Sequence, residues 1–168
     1  MTIGLRAAFA VLALTSIGSG TSAARSVGAA ATSLPCTPAQ AASFAWWPGT
    51  WDYASQGREP GVTTVTVSNS GCQFQAELVD AKKQQTSTTI IFDPGSQRWK
   101  RLVADPTRTY RSSGVYAPDG SISFYESPTA RETYRPTDHD HVRYFGEFSK
   151  DGGKSWKIVF DASFTRRP

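Results

Sequence analysis

Three groups of side chains in this 168-residue chain have types and spacings that could do chemistry. The first is Asp138-His139-Asp140-His141. Alternate positions on a strand share a face, which would put His139 and His141 together and the aspartates opposite. Two imidazoles at i, i+2 can chelate a transition metal, but a closed site needs two more ligands. The chain holds only two His and two Cys and no C-x-x-C spacing, so no second ligand pair is offered. The stretch after Pro136 is therefore expected to be a solvated turn without metal. The second group is the carboxylates Glu126 and Glu132, which could face each other from neighbouring short strands. Arg131 and Arg135 beside them turn the expectation toward ordinary surface ion pairs. The third group is Arg101, in phase with Trp99 and Val103, together with Tyr110 and Tyr116 in one phase and Tyr144 in phase with Val142 and Phe148. In a closed sheet one phase faces inward. An interior Arg beside Tyr hydroxyls would suit a ligand with an acid or polyoxygenated head and an apolar body. Trp99, Arg101, Tyr110, Tyr116 and Tyr144 are the ligand-binding candidates. The alternative for Arg101 is cover by a carboxylate at a barrel mouth, or an outward phase.

Nucleophilic catalysis finds no motif. There is no Gly-x-Ser-x-Gly elbow, and neither His lies near a serine in a recognisable pattern, so no catalytic residue is assigned. Ser149-x-Asp151-x-Gly153-x-x-Trp156 fits the Asp-box pattern of sialidases and other propellers. A propeller needs on the order of four or more blades, so a single copy is read as a hairpin with a capped turn.

The elements that must position these groups are strands. Thr37 to Phe44 can form a helical turn or two, with Thr37 as cap and Pro38 at the first helical position. Phe44-Ala-Trp-Trp-Pro-Gly-Thr-Trp51 follows, placing four aromatic rings around a Pro-Gly step that permits a sharp change of direction. Beyond Trp51 the period is two. Strand-like runs cover Val62–Val67, Phe74–Leu78, Thr86–Phe92, Trp99–Ala104, Thr109–Tyr116, Ser121–Tyr125, Arg131–Tyr134, His141–Phe148 and Trp156–Phe164. The last two flank Asp151-Gly152-Gly153, whose residues tolerate positive φ in a hairpin turn. Trp156, Ile158, Phe160, Ala162 and Phe164 are expected to form one continuous apolar face. About nine or ten strands at a spacing near ten residues, with no helix between them, indicate an antiparallel sandwich or barrel. Closure into a barrel removes the edges so many short strands would otherwise leave.

Residues 1–24 read as a secretory signal, with Arg6 in the n-region, Ala7 to Leu14 as the apolar stretch and small residues near Ala24. That stretch is too short to span a bilayer, so no transmembrane segment is expected after signal removal. Residues 25–35 are small and polar and form a flexible lead-in, leaving 36–168 as one domain. Residues 25–168 keep 17 of the 18 Lys and Arg, only slightly more than the 14 Asp and Glu. They are scattered, whereas nucleic-acid binding would want a clustered basic face. Cys36 and Cys72 make an even count in a chain bound for export, which favours a disulfide. Closing about 35 residues, it would be worth roughly 4 kcal/mol in the loop-entropy model. Two free thiols stand as the alternative.

The ordered set Phe44-x-x-Trp47-x-Gly49-x-Trp51, Gly71-Cys72, Phe92-Asp93-Pro94 with Arg98-Trp99, Asp151-Gly152-Gly153-x-x-Trp156 with Val159-Phe160-Asp161, and terminal Arg166-Arg167 resembles the DUF1579-type lipocalin-like proteins. These are small bacterial proteins, often exported, placed near the calycin β-barrels. The resemblance spans about Cys36 to Arg167. The chain departs from it in Phe-Ala-Trp-Trp-Pro, where members more often carry Phe-Asp-Phe-Trp and an aliphatic residue, and in the Asp-His-Asp-His stretch. The resemblance implies an all-β fold: a single antiparallel up-and-down barrel of about 8–10 strands with a short N-terminal helical turn. It also implies structural roles for Trp47, Trp51, Arg166 and Arg167, with Trp51 across the closed end under Arg166 or Arg167. A guanidinium on indole is favourable by roughly 0.5–2 kcal/mol. Some related barrels hold haem through a His, which here would require His139 or His141 to face the cavity.

The function expected is an exported, secreted or periplasmic barrel that binds a small apolar or amphipathic molecule without a cofactor. A barrel isomerase or cyclase using cavity tyrosines, and a packed barrel acting in envelope interactions, are the two alternatives. No oligomeric state is legible.

Overall fold

Alternation of period two becomes ten strands in the computed structural model, which describes Cys36–Pro168. The signal and lead-in readings of residues 1–35 lie outside the described residues. The helix α1 (Pro38–Ala42) starts at Thr37, whose hydroxyl accepts from the Gln40 backbone while the Gln40 side chain answers to the Thr37 N–H. This reciprocal capping box satisfies donors that so short a helix would leave open. The strands are β1 (Gly49–Ser55), β2 (Gly61–Ser68), β3 (Gln73–Asp80), β4 (Gln85–Asp93), β5 (Arg98–Ala104), β6 (Thr109–Tyr116), β7 (Ile122–Ser127), β8 (Ala130–Pro136), β9 (His141–Phe148) and β10 (Lys157–Arg166).

Each strand pairs antiparallel with its sequence neighbours, and β1 also pairs with β10, so the sheet is a closed up-and-down barrel. Trp51 lies opposite Arg166 across the closing seam and opposite Thr63 on its other side. Among the described residues no strand edge is left free, which is how an all-antiparallel sheet of short strands avoids edge-to-edge association.

The two ends of the barrel differ. At one end Phe44, Trp47, Trp51, Phe74, Phe92, Trp99 and Phe124 pack into an aromatic plug, each no more than 4% exposed. Phe44 is its centre, edge-on to Trp99 at 4.8 Å and tilted on Phe74 at 5.2 Å. Cys36 and Cys72 are joined by a disulfide, Cα atoms 5.6 Å apart, which ties the start of the helical segment to the turn before β3. The Arg166 guanidinium lies 4.1 Å over the Trp51 ring. It also donates to the carbonyls of Trp46 (2.6 Å) and Pro48 (2.8 Å), so it holds the plug's loop as well as its ring. Gly49 is required there, because its φ is +133° and a Cβ would come within 2.6 Å of Arg166 Nη1. Arg167 points the other way and pairs with Asp52 at 2.6 Å, so only Arg166 covers the tryptophan. Adjacent strand residues face opposite sides, and one of two neighbouring arginines had to be excluded.

The last hairpin departs from the expected continuous apolar face. A bulge lies between Ile158 and Phe160, leaving Val159 unpaired. Phe160, Ala162 and Phe164 keep the inward phase, while Ile158 and Val159 are exposed. An extra residue in one strand reverses the phase on its far side. Trp156 accordingly packs outside, edge-on to Tyr125 and beneath Arg131.

Candidate functional site

At the end away from the plug, the loops β1–β2, β3–β4 and β5–β6 surround a cavity of about 450 Å³. Arg58, Glu59, Asp80, Lys82, Asp105 and Thr107 form its rim. Deeper, Tyr53, Ala76, Leu78, Val103 and Phe164 supply apolar wall, and Thr63, Thr86 and Thr88 supply hydroxyls. Trp47 reaches the cavity from the plug side, so the plug is also the floor. Near the rim, the Arg58 guanidinium lies 5.3 Å over the Phe160 ring. Gly146 makes room for that ring, since a Cβ there would meet Phe160 Cε1 at 2.2 Å.

One wall carries a polar network. Tyr110, Tyr134 and Tyr144 line the cavity, and Arg101 with Glu132 lies among them. Arg101 Nη2 sits 2.6 Å from Glu132 Oε2. Its N–H is not directed along that contact, so the nitrogen has close charge compensation but no aligned acceptor. Arg101 Nε donates to Ser112 Oγ at 3.0 Å and Nη1 to the Tyr134 hydroxyl at 3.4 Å. Glu132 accepts from Tyr144 at 2.6 Å and from Tyr110 at 3.4 Å. The Arg101 guanidinium also lies 4.8 Å over the Phe124 ring. Burial works against the arginine's charge, but Tyr134 and Glu132 outweigh it and raise its pKa. Burial pushes all three phenols above the usual tyrosine range, Glu132 adding to the effect, so they stay protonated at physiological pH.

The five ligand candidates separate by height along the barrel. Tyr110 and Tyr144 line the cavity. Arg101 is buried behind them and is neutralised by Glu132, the cover that had stood as its alternative. Trp99 is inward but packs in the plug against Phe44 and Phe92. Tyr116 is 42% exposed at the far end of β6. Tyr110 and Tyr116 share a phase, but six residues of strand separate them by about 20 Å.

Glu132 was missed as an interior group. Expected to pair at the surface with Arg131 or Arg135, it turns inward, in phase with Tyr134, while Arg131 faces out to Glu147 at 2.6 Å. Glu126 meets Arg108 at the surface instead. The usable signal was Glu132-x-Tyr134, alternating with Arg131, Thr133 and Arg135. His139 and His141 are exposed on the β8–β9 turn at the plugged end, with Nδ1 atoms 2.6 Å from Asp140 and 2.8 Å from Asp138. They do not face the cavity. Among the described residues no group of three or more His, Cys, Asp or Glu could hold a metal ion.

No protein-family model matches the chain, and no curated protein matches its sequence.

Proposed function

We propose that the protein is an exported carrier of a small, uncharged, apolar or amphipathic molecule, related to the DUF1579-type lipocalin-like proteins it resembles. The observation that carries this reading is the 450 Å³ cavity, open at one end and closed by the aromatic floor at the other. That volume is about three times the ~150 Å³ of an apolar cavity that holds benzene. A molecule of two or three fused rings, or a branched chain of similar bulk, matches it. The wall favours an uncharged guest. Arg101 and Glu132 cancel, so a ligand carboxylate would compete with Glu132 for a buried guanidinium already in use. An acid head, one of the sequence expectations, is therefore not favoured.

Carriage is favoured over isomerase or cyclase chemistry because the Tyr110 and Tyr144 hydroxyl hydrogens are given to Glu132, which is itself occupied by Arg101. The cavity also speaks against a fully packed interaction barrel. Export is supported by the Cys36–Cys72 disulfide, which persists in oxidising compartments. Among the described residues no helix is long and apolar enough to cross a membrane.

Native mass spectrometry of protein purified from its source tests the reading. A co-purifying mass of a few hundred daltons supports carriage. An empty barrel that also takes up no apolar probe in titration would remove it.

A further inference from the structure

Two buried polar atoms at the inner end of the cavity have no partner among the described residues. The indoles of Trp46, Trp51 and Trp156 donate to the backbone carbonyls of Ser43, Trp47 and Gly153 at 2.9–3.1 Å. The indole N–H of Trp47 donates to nothing, although the residue is only 2% exposed. Thr63 Oγ1 is likewise buried and unpaired, in a residue 3% exposed. Both residues line the cavity. Both also flank Trp51: Thr63 is its register partner on β2, and the Trp47 ring lies 5.5 Å from it. A buried donor left unmade costs about 1–3 kcal/mol, so two at one end of one cavity call for a common partner.

Resting on the carrier reading above, we infer that the guest enters with an acceptor oxygen foremost. The Trp47 N–H and the Thr63 hydroxyl both donate to that oxygen at the cavity floor. Indole can only donate, and the threonine hydroxyl carries one O–H that it can donate. A carbonyl oxygen, with two lone pairs, takes one bond from each. A hydrocarbon takes neither, and a carboxylate would bring a net charge to a floor whose guanidiniums are already engaged, Arg101 by Glu132 and Arg166 by the Trp46 and Pro48 carbonyls. The guest class is therefore a compact cyclic or polycyclic ketone, lactone or quinone. The apolar wall of Leu78, Val103 and Phe164 takes its carbon skeleton. The phenol oxygens of Tyr110 and Tyr144, whose hydrogens are committed to Glu132, remain as acceptors for a guest hydroxyl.

The matched probes 1-tetralone and tetralin test this, since they share a skeleton and differ in one carbonyl. Calorimetric titration of the full mature protein should show 1-tetralone binding about tenfold more tightly, the difference expected for recovering one to two buried hydrogen bonds. Among the indole N–H signals of the five tryptophans, the one lost in Trp47→Phe should move downfield with 1-tetralone and not with tetralin. Trp47→Phe and Thr63→Val should each bring the ratio of the two affinities closer to one. Thr63→Val removes no existing hydrogen bond and keeps the side-chain shape, so it serves if Trp47→Phe does not fold. Equal affinities in the unmodified protein, as when a held water already satisfies both atoms, would overturn the acceptor assignment and leave the carrier reading standing. Binding of neither probe would also overturn it. Only together with an empty barrel in native mass spectrometry would that result remove the carrier reading too.

Discussion

Arg101 shows what a single charge in a barrel wall demands of its neighbours. A guanidinium with a side chain only 1% exposed is tolerable because Glu132, Ser112, three phenols and the Phe124 ring surround it. Arg101→Met would leave Glu132 without its countercharge, and removing one partner of a buried pair costs about 3–5 kcal/mol. The double variant Arg101→Met with Glu132→Leu should recover part of that loss, because no buried charge then remains. Urea unfolding of both variants checks this. A single variant within about 1 kcal/mol of the parent would mean the pair contributes little. Asp151 is the opposite case, exposed and yet strongly perturbed. Its carboxylate accepts from the Ser155 hydroxyl (2.6 Å), the Ser155 and Lys154 backbone N–H groups and the Ser149 hydroxyl, which lower its pKa to about 2. An unfolded aspartate titrates near 3.9. The folded value is the lower one, so this contribution to stability is complete above about pH 4 and is lost as pH falls through about 2. Carboxyl-carbon NMR should place the Asp151 midpoint near 2, and a midpoint near 4 would mean the turn's hydrogen bonds are not formed in solution.

Among the elements, the plug segment is the one that depends most on others. The five-residue helix α1 is too short to be stable alone. It is held by the Cys36–Cys72 bridge at one end and by Arg166 on the Trp46 and Pro48 carbonyls at the other. Replacing both cysteines with serine should cost roughly 4 kcal/mol by the loop-entropy model, read from denaturant midpoints under oxidising conditions. The same variant should lose part of the tryptophan emission shift of the native state, because Trp46 and Trp47 follow directly on the loosened segment. A variant as stable as the parent would show that the arginine clamp suffices. The bulge at Val159 belongs to this scale as well. It turns Ile158 and Trp156 outward, and Trp156 is then received by Arg131 at 4.1 Å.

At the scale of the molecule, the closing pair is β1 with β10, the first and last strands. A barrel cannot close until that pairing of high sequence separation forms, which places folding in the millisecond-to-second range of non-local β-proteins. Closure also joins wall and plug into one cooperative unit, because Trp51 and Arg166 belong both to the seam and to the plug. Unfolding followed by tryptophan fluorescence, which reports the plug, should therefore coincide with far-UV dichroism, which reports the strands. A fluorescence transition that runs ahead would show the plug opening on its own and would make the floor a second way into the cavity.

Period-two alternation with Pro-Gly and Asp-Gly punctuation placed β2 to β10 within a residue or two and left β1 unmarked, and an even cysteine count favoured the bridge that forms. Those are consequences of local geometry, and local geometry is written in neighbouring residues. Phase along a strand was legible as a grouping, Arg101 with Trp99 and Val103 and Tyr144 with Val142, but which phase faces inward was not. Nor was height along the barrel. It depends on the register between strands and on which end the plug fills, and it separated Tyr110 from Tyr116 and sent Trp99 to the plug. Tertiary structure alone brought Glu132 on β8 against Arg101 on β5, because the two strands are not neighbours and meet only across the interior. The same closure left Trp47 and Thr63, on separate segments of the chain, as the two unpaired polar groups around one floor.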